Sequence, residues 1–167
     1  MRLTPRTSRT GLAAAFLLAF AACSQGGADA DARQVAAHKA VHPESGLAVI
    51  PLKVKSANGA HVFKVEVAVT AQEQAKGLMF RTQMGADEGM IFVNDPPRRA
   101  AFWMRNTVIP LDIIFIGTDH RILNIAADAV PYDETPLPAD GVTSGVLELN
   151  GGRAAQLGIK PGDKVSW

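Results

Sequence analysis

The sequence is poor in cysteine, in excess charge and in long apolar runs, and each shortage excludes a class of protein. Its one cysteine, Cys23, has no partner in the chain, so the protein folds without internal disulfides. The formal net charge is only +1, and part of the basic excess lies in the first ten residues. The sequence therefore lacks the cluster of basic residues that is typical of nucleic-acid-binding proteins. The longest apolar run, Leu12–Ala22, is too short to cross a bilayer as a helix.

The first 22 residues have the layout of a secretory signal peptide. Arg2, Arg6 and Arg9 precede the apolar run, and no acidic residue accompanies them. We therefore predict that residues 1–22 are removed during export and that the mature protein lies in the periplasm.

The end of this segment, Phe20-Ala21-Ala22-Cys23, resembles the bacterial lipobox, in which the thiol is lipidated and becomes the new N-terminus. Because Ser24 replaces the Asp associated with inner-membrane retention, we predict an outer-membrane anchor through lipidated Cys23. The alternative is that Ala19-Phe20-Ala21 is an ordinary cleavage site and that Cys23 is incidental.

The rest of the chain divides by composition. Residues 23–46 carry the lipidated N-terminus and then a stretch rich in Ala, Gly, Asp and His without an apolar period, which predicts a flexible tether. His38 and His42 lie in it and are interpreted as solvated histidines. Residues 47–167 are long enough for a single β-rich domain with one core.

Periodicity predicts many short strands. The most regular is His61–Val69, preceded by an Asn58-Gly59 turn, and Leu47–Val54 is expected at an edge because it contains Pro51. Further strands are expected over 88–93, 121–126, 145–149 and 164–167. Residues 94–99 are expected to form a connection and residues 128–144 a long loop.

Only two helices are expected. Thr70-Ala71-Gln72-Glu73 has the capping-box pattern and Gly77 suits a C-terminal cap, which predicts a short helix over 71–76. A second helical turn is expected over 153–157. The fold class is therefore mainly β: an antiparallel β-sandwich, jelly-roll-like, or a partly closed barrel with one or two short helices.

The stretch Phe102–Ile116 is dense in aromatic and β-branched residues and is expected to form two strand segments that meet at a bend near Ile109. Polar groups inside it would be costly to bury unpaired. Polar side chains that are embedded in apolar sequence, and one indole that could stack on a flat ligand, form the candidate ligand-binding set. Its members are Arg81, Trp103, Arg105, Asn106, Asp112 and Glu148. The alternative is a buried network of ion pairs and amides that fixes the bend.

No motif supports a metal, a cofactor or a catalytic assignment. The sequence has no Gly-rich phosphate loop, no zinc-spaced histidine pair and no Gly-x-Ser-x-Gly. The methionines sit among Leu, Phe and Ile and are interpreted as core packing rather than a Cu(I) site. The acids of residues 128–140 lack the register of a calcium loop.

Six segments of the sequence form a recognisable set: Gly77-Leu78-Met79-Phe80-Arg81, Glu88-Gly89-Met90-Ile91-Phe92, Phe102-Trp103-Met104-Arg105-Asn106-Thr107, Ile109-Pro110-Leu111-Asp112-Ile113, Val146-Leu147-Glu148-Leu149 and Gly158-Ile159-Lys160-Pro161-Gly162-Asp163. Together they resemble one family, domain of unknown function family 192, also called uncharacterised protein family 0127. The resemblance implies a mostly β domain of sandwich or jelly-roll type and implies no activity.

Three hypotheses for function stay open at this point. The first is an exported, lipid-anchored envelope protein that binds a small polar or anionic ligand. The second is an envelope hydrolase or transferase in which Asp112 or Glu148 is the general base and Arg81 or Arg105 stabilises negative charge. The third is a protein-interaction module of an envelope assembly.

Overall fold

The computed structural model of the chain describes residues 40–167. The predicted signal peptide and Cys23 lie outside these residues, as does most of the predicted tether. Its last part, residues 40–46, folds back on the sheet: Val49 N donates to Ala40 O at 2.7 Å, and His42 N donates to Leu47 O at 2.8 Å. The folded region therefore begins before Leu47.

Strands make up most of the described region, and its two helices are short; neither is long and apolar enough to cross a membrane. The elements are β1 Val49–Ser56, β2 Gly59–Ala68, α1 Ala71–Lys76, β3 Glu88–Phe102, β4 Leu111–Gly117, β5 Ile122–Ala129, β6 Leu137–Asn150, α2 Arg153–Leu157 and β7 Lys164–Ser166.

The strands form one sheet in the order β5-β4-β6-β3-β2-β1-β7, which curls into a half-barrel. All neighbouring strands pair antiparallel except β2 and β3, which are parallel. They can be parallel because α1 and the segment after it return the chain from the end of β2 to the start of β3. At one end the two edge strands meet: Ile122 N donates to Asp163 O at 3.0 Å, and Val165 N donates to His120 O at 2.9 Å. This arrangement confirms the mainly β fold class and, among its alternatives, the partly closed barrel.

Apolar side chains are buried on both faces of the central strands. One cluster draws on all seven strands and fills the concave side, with Phe63, Ile91 and Leu147 among its buried members. The second cluster lies on the opposite face of β3, β4 and β6, because successive side chains of a strand point to opposite faces. The second cluster carries the candidate site.

Local signals predicted several elements correctly. α1 begins and ends where expected: the Thr70 hydroxyl accepts a hydrogen bond from Glu73 N, Glu73 reaches back to Thr70 N, and Gly77 N donates to Glu73 O. The helical turn over 153–157 and the tight turn at Asn58-Gly59 are also confirmed.

Three predictions about the middle of the chain are wrong. Residues 94–99 are not a connection, because β3 continues to Phe102 across two register shifts in its pairing with β6. Residues 128–144 are not one long loop, because β5 extends to Ala129 and β6 begins at Leu137. The stretch 103–110 is irregular rather than a strand, and Asn106 has a φ of 53°.

The expected edge position of β1 is also wrong. β1 lies between β2 and β7, but β7 pairs only with Lys53–Lys55. Pro51, which has no N–H to donate, therefore lies outside the stretch that β7 covers.

Candidate functional site

Glu148 is a buried acidic side chain between members of the second cluster. β6 pairs it with Met90 of β3 on one side and with Ile113 of β4 on the other, so apolar residues flank it in both directions. It is only 4% exposed, and among the described residues its Oε2 has no hydrogen-bond partner. Burial raises its pKa from the ordinary 4.5 to about 8. At neutral pH Glu148 is therefore mostly in its uncharged, protonated form.

A cavity of about 230 Å³ lies against Glu148. Its walls come from the end of α1 with Leu78 and Met79, from the outer half of β3, and from the turn after β3. Phe92 and Phe102 form part of the wall as an edge-to-face pair whose ring centroids are 4.9 Å apart. The cavity thus combines an apolar wall with one buried, unsatisfied polar group.

Gly77 allows α1 to end against this wall. Its φ is 47° and its ψ is −135°, a conformation that strains other residues. A Cβ atom at this position would lie 3.1 Å from Cζ of Phe92. Glycine therefore lets the chain turn directly from α1 into the segment that lines the cavity.

Basic side chains line the cavity nearer to solvent. Arg105 lies 4.5 Å over the ring of Trp103, and its Nη2 donates to Oε2 of Glu134 at 2.7 Å. The same hydrogen bond raises the pKa of Arg105 and lowers the pKa of Glu134. Arg98 donates from Nη2 to Oε1 of Gln74 at 2.8 Å, so its partner is uncharged.

Three of the six candidate residues thus line one cavity: Trp103, Arg105 and Glu148. Asn106 lies beside it, because its Nδ2 is 3.8 Å from Sδ of the lining residue Met79. The backbone carbonyl of Asn106 also accepts a hydrogen bond from Phe80 N at 2.8 Å. This bond holds the turn after β3 against the segment that follows α1.

Arg81 lies elsewhere, as the buried centre of a network with the start of the folded region. Its Nη2 is 2.9 Å from Oε1 of Glu66, and its Nε is 2.8 Å from Oε2 of Glu44. Its Nη1 is 3.3 Å from Nε2 of His42, so the interpretation of His42 as a solvated histidine is wrong. Arg81 therefore links β2 to residues 42–44.

Asp112 is fully buried and satisfied by backbone groups. Its Oδ1 accepts from Asp128 N at 2.8 Å and from Gly152 N at 3.0 Å, and its Oδ2 accepts from Ala154 N at 2.7 Å. It joins β4, the end of β5 and the start of α2. This carboxylate has a structural role and does not line the cavity.

Sequence reasoning missed much of the cavity wall. Residues of β3 and of the end of α1 contribute to it: Lys76, Leu78, Met79, Phe92, Arg98 and Phe102. No local pattern marks Arg98 and Phe102, because the register shifts in β3 decide which side chains of its outer half face the cavity. Among the described residues, no group of three or more His, Cys, Asp or Glu side chains is placed to hold a metal.

Comparison with known proteins gives a family and two solved structures. The model of DUF192, described as an uncharacterized ACR, matches residues 52–167. A protein of unknown function from Novosphingobium aromaticivorans DSM 12444 is 67% identical, with a TM-score of 0.77, over 79% of this chain and 94% of that one. A protein of Sinorhizobium meliloti 1021, whose description proposes a transcription regulator, is 38% identical, with a TM-score of 0.70, over 72% and 94%. No curated protein matches the chain.

Proposed function

Because the chain belongs to DUF192, a family described only as uncharacterized, we propose its function from its own cavity: it is an exported, lipid-anchored envelope protein that binds a small organic molecule beside Glu148. The observation that carries this proposal is the buried Glu148, which lines a cavity of about 230 Å³ and whose Oε2 has no hydrogen-bond partner among the described residues. A buried polar atom without a partner is costly, and a ligand that pairs with it recovers that cost.

The surroundings of Glu148 support binding more than catalysis. Glu148 is the one carboxyl among the described residues that line the cavity. The two charge-stabilising candidates of the enzyme hypothesis are already paired, Arg105 with Glu134 and Arg81 with Glu66. Asp112, the other candidate base, accepts three backbone hydrogen bonds and is not free to take a proton from a substrate.

The export part of the proposal rests on the sequence of residues 1–23. The basic start, the apolar run and the lipobox-like Phe20-Ala21-Ala22-Cys23 support it. Expression in a Gram-negative host with labelled palmitate tests lipidation. The natural chain should take up the label and partition into the detergent phase, whereas Cys23→Ala should stay unlabelled and remain in the aqueous phase. Equal labelling of both chains would refute lipidation at Cys23.

Ligand binding is tested by a thermal-shift screen of the full chain against small acids, amines, alcohols and sugar fragments. A ligand at about 100 times its Kd should stabilise the fold by roughly 2.7 kcal/mol, which is a visible shift in Tm. The shift should be lost in Met79→Trp, which fills the cavity from its wall. It should persist in Val142→Trp, a matched change at an exposed position of β6 outside the cavity lining. A shift that survives Met79→Trp would place the ligand elsewhere.

A further inference from the structure

Resting on the proposed binding function, we infer the class of ligand: a small organic acid with one ring, whose anionic head lies at Arg98 and Lys76 and whose uncharged oxygen accepts a hydrogen bond from the carboxyl group of Glu148. The three parts of this inference come from the inner end, the wall and the outer end of the cavity.

The inner end of the cavity presents a hydrogen-bond donor. An uncharged carboxylic acid has one O–H to donate, and the pKa of about 8 keeps Glu148 in that form at neutral pH. The nearest carboxylate in the same row of the sheet is Glu66, across Met90, and Arg81 neutralises it. A hydroxyl, ether or carbonyl oxygen of the ligand therefore complements Glu148.

The wall and the volume limit the body of the ligand. Leu78, Met79 and the edge-to-face pair of Phe92 and Phe102 offer apolar surface and no hydrogen-bond donor from their side chains. An apolar cavity of about 150 Å³ holds benzene. A cavity of about 230 Å³ therefore accommodates one ring with short substituents.

The outer end favours a negative charge. The charged side chains that share the cavity with Glu148 are Lys76 from α1, Arg98 from β3 and Arg105 from the turn. Arg105 is neutralised by Glu134, whereas Lys76 and Arg98 form no ion pair within residues 40–167. A carboxylate at this end gains two unpaired cations, and an ammonium group would be repelled by them.

Three probes that share the 4-methoxyphenyl body and carry an anionic, a neutral or a cationic head test the inference: 4-methoxybenzoate, 4-methoxybenzyl alcohol and 4-methoxybenzylamine. Their affinities for the full chain in detergent are measured by calorimetry at pH 6.5 and pH 9. We expect the acid to bind at least tenfold more tightly than the alcohol, and the amine to bind most weakly. The affinity for the acid should fall about tenfold between the two pH values, because the proton on Glu148 is then lost.

Two variants isolate the two polar contacts. Glu148→Gln keeps an N–H donor at every pH. It should therefore bind the acid at pH 6.5, and its affinity for the acid should not fall at pH 9. Arg98→Ala should remove most of the preference for the acid over the alcohol, while Arg99→Ala, its exposed neighbour outside the cavity lining, should leave that preference unchanged.

The outcomes separate this inference from the proposed function. A preference for the amine or the alcohol, or affinity for the acid that is independent of pH in the natural chain, overturns the ligand class and leaves the binding cavity standing. An absence of binding by all three probes at millimolar concentration counts against both.

Discussion

Replacing Glu148 by glutamine should strongly change the dependence of stability on pH. The native state raises the pKa of Glu148 from 4.5 to about 8, so it holds one more proton than the unfolded chain between those values. The resulting contribution to stability is fully present below pH 4.5 and is lost as the pH rises from there through 8. A pKa unit corresponds to 1.36 kcal/mol, which gives a loss of about 4 kcal/mol between pH 5 and pH 9.

The assay is urea unfolding of the natural chain and of Glu148→Gln at pH 5, 7 and 9. The free energy of unfolding of the variant, relative to the natural chain, should rise by about 4 kcal/mol from pH 5 to pH 9. The buried amide that Glu148→Gln introduces adds a cost of its own, but that cost is the same at every pH and cancels in the difference. A constant difference across the range would contradict a protonated, unpaired Glu148 and would mean that the native state holds it ionised and paired.

The remaining predictions concern the residues that hold the fold. Arg81→Met leaves Glu66 buried without its cation and should cost about 3–5 kcal/mol in urea unfolding, and adding Glu66→Gln should restore much of the loss. Asp112→Ala removes the acceptor of three backbone N–H groups and should cost about 4 kcal/mol without changing ligand affinity per folded molecule. Thr70→Ala removes the cap of α1 and should lower stability by about 1 kcal/mol, as measured by the urea midpoint. Gly89→Ala places a Cβ against the carbonyl of Glu148 and should lower Tm, whereas Ala86→Gly, at an exposed loop position, should change it little.

Where local chemistry decides the backbone, the sequence was informative. α1 is bounded by its own capping box and by Gly77, and β2 is recognisable from strict alternation, because neither depends on a distant partner. The outer half of β3 is different. It contains Pro96 and Pro97 and continues as a strand only because β6, far along the chain, supplies pairing partners for Arg98 and Arg99.

The candidate residues show the same division. A charged or amide side chain within an apolar stretch needs a hydrogen-bond or ion-pair partner if it is buried. This criterion selected Arg81, Asp112 and Glu148 alike. The structure distinguishes them through contacts that are not local. Arg81 meets Glu66 across the sheet, and Asp112 meets the backbone of α2.

The sequence by itself determined a mainly β fold with two short helices and the set of polar residues for which burial needs an explanation. Only the tertiary structure decided which member of that set is left without a partner. The physical reason is that β6 lies between β3 and β4, which surrounds Glu148 with apolar side chains. The register shifts of β3 and the turn at Gly77 then leave a cavity beside it.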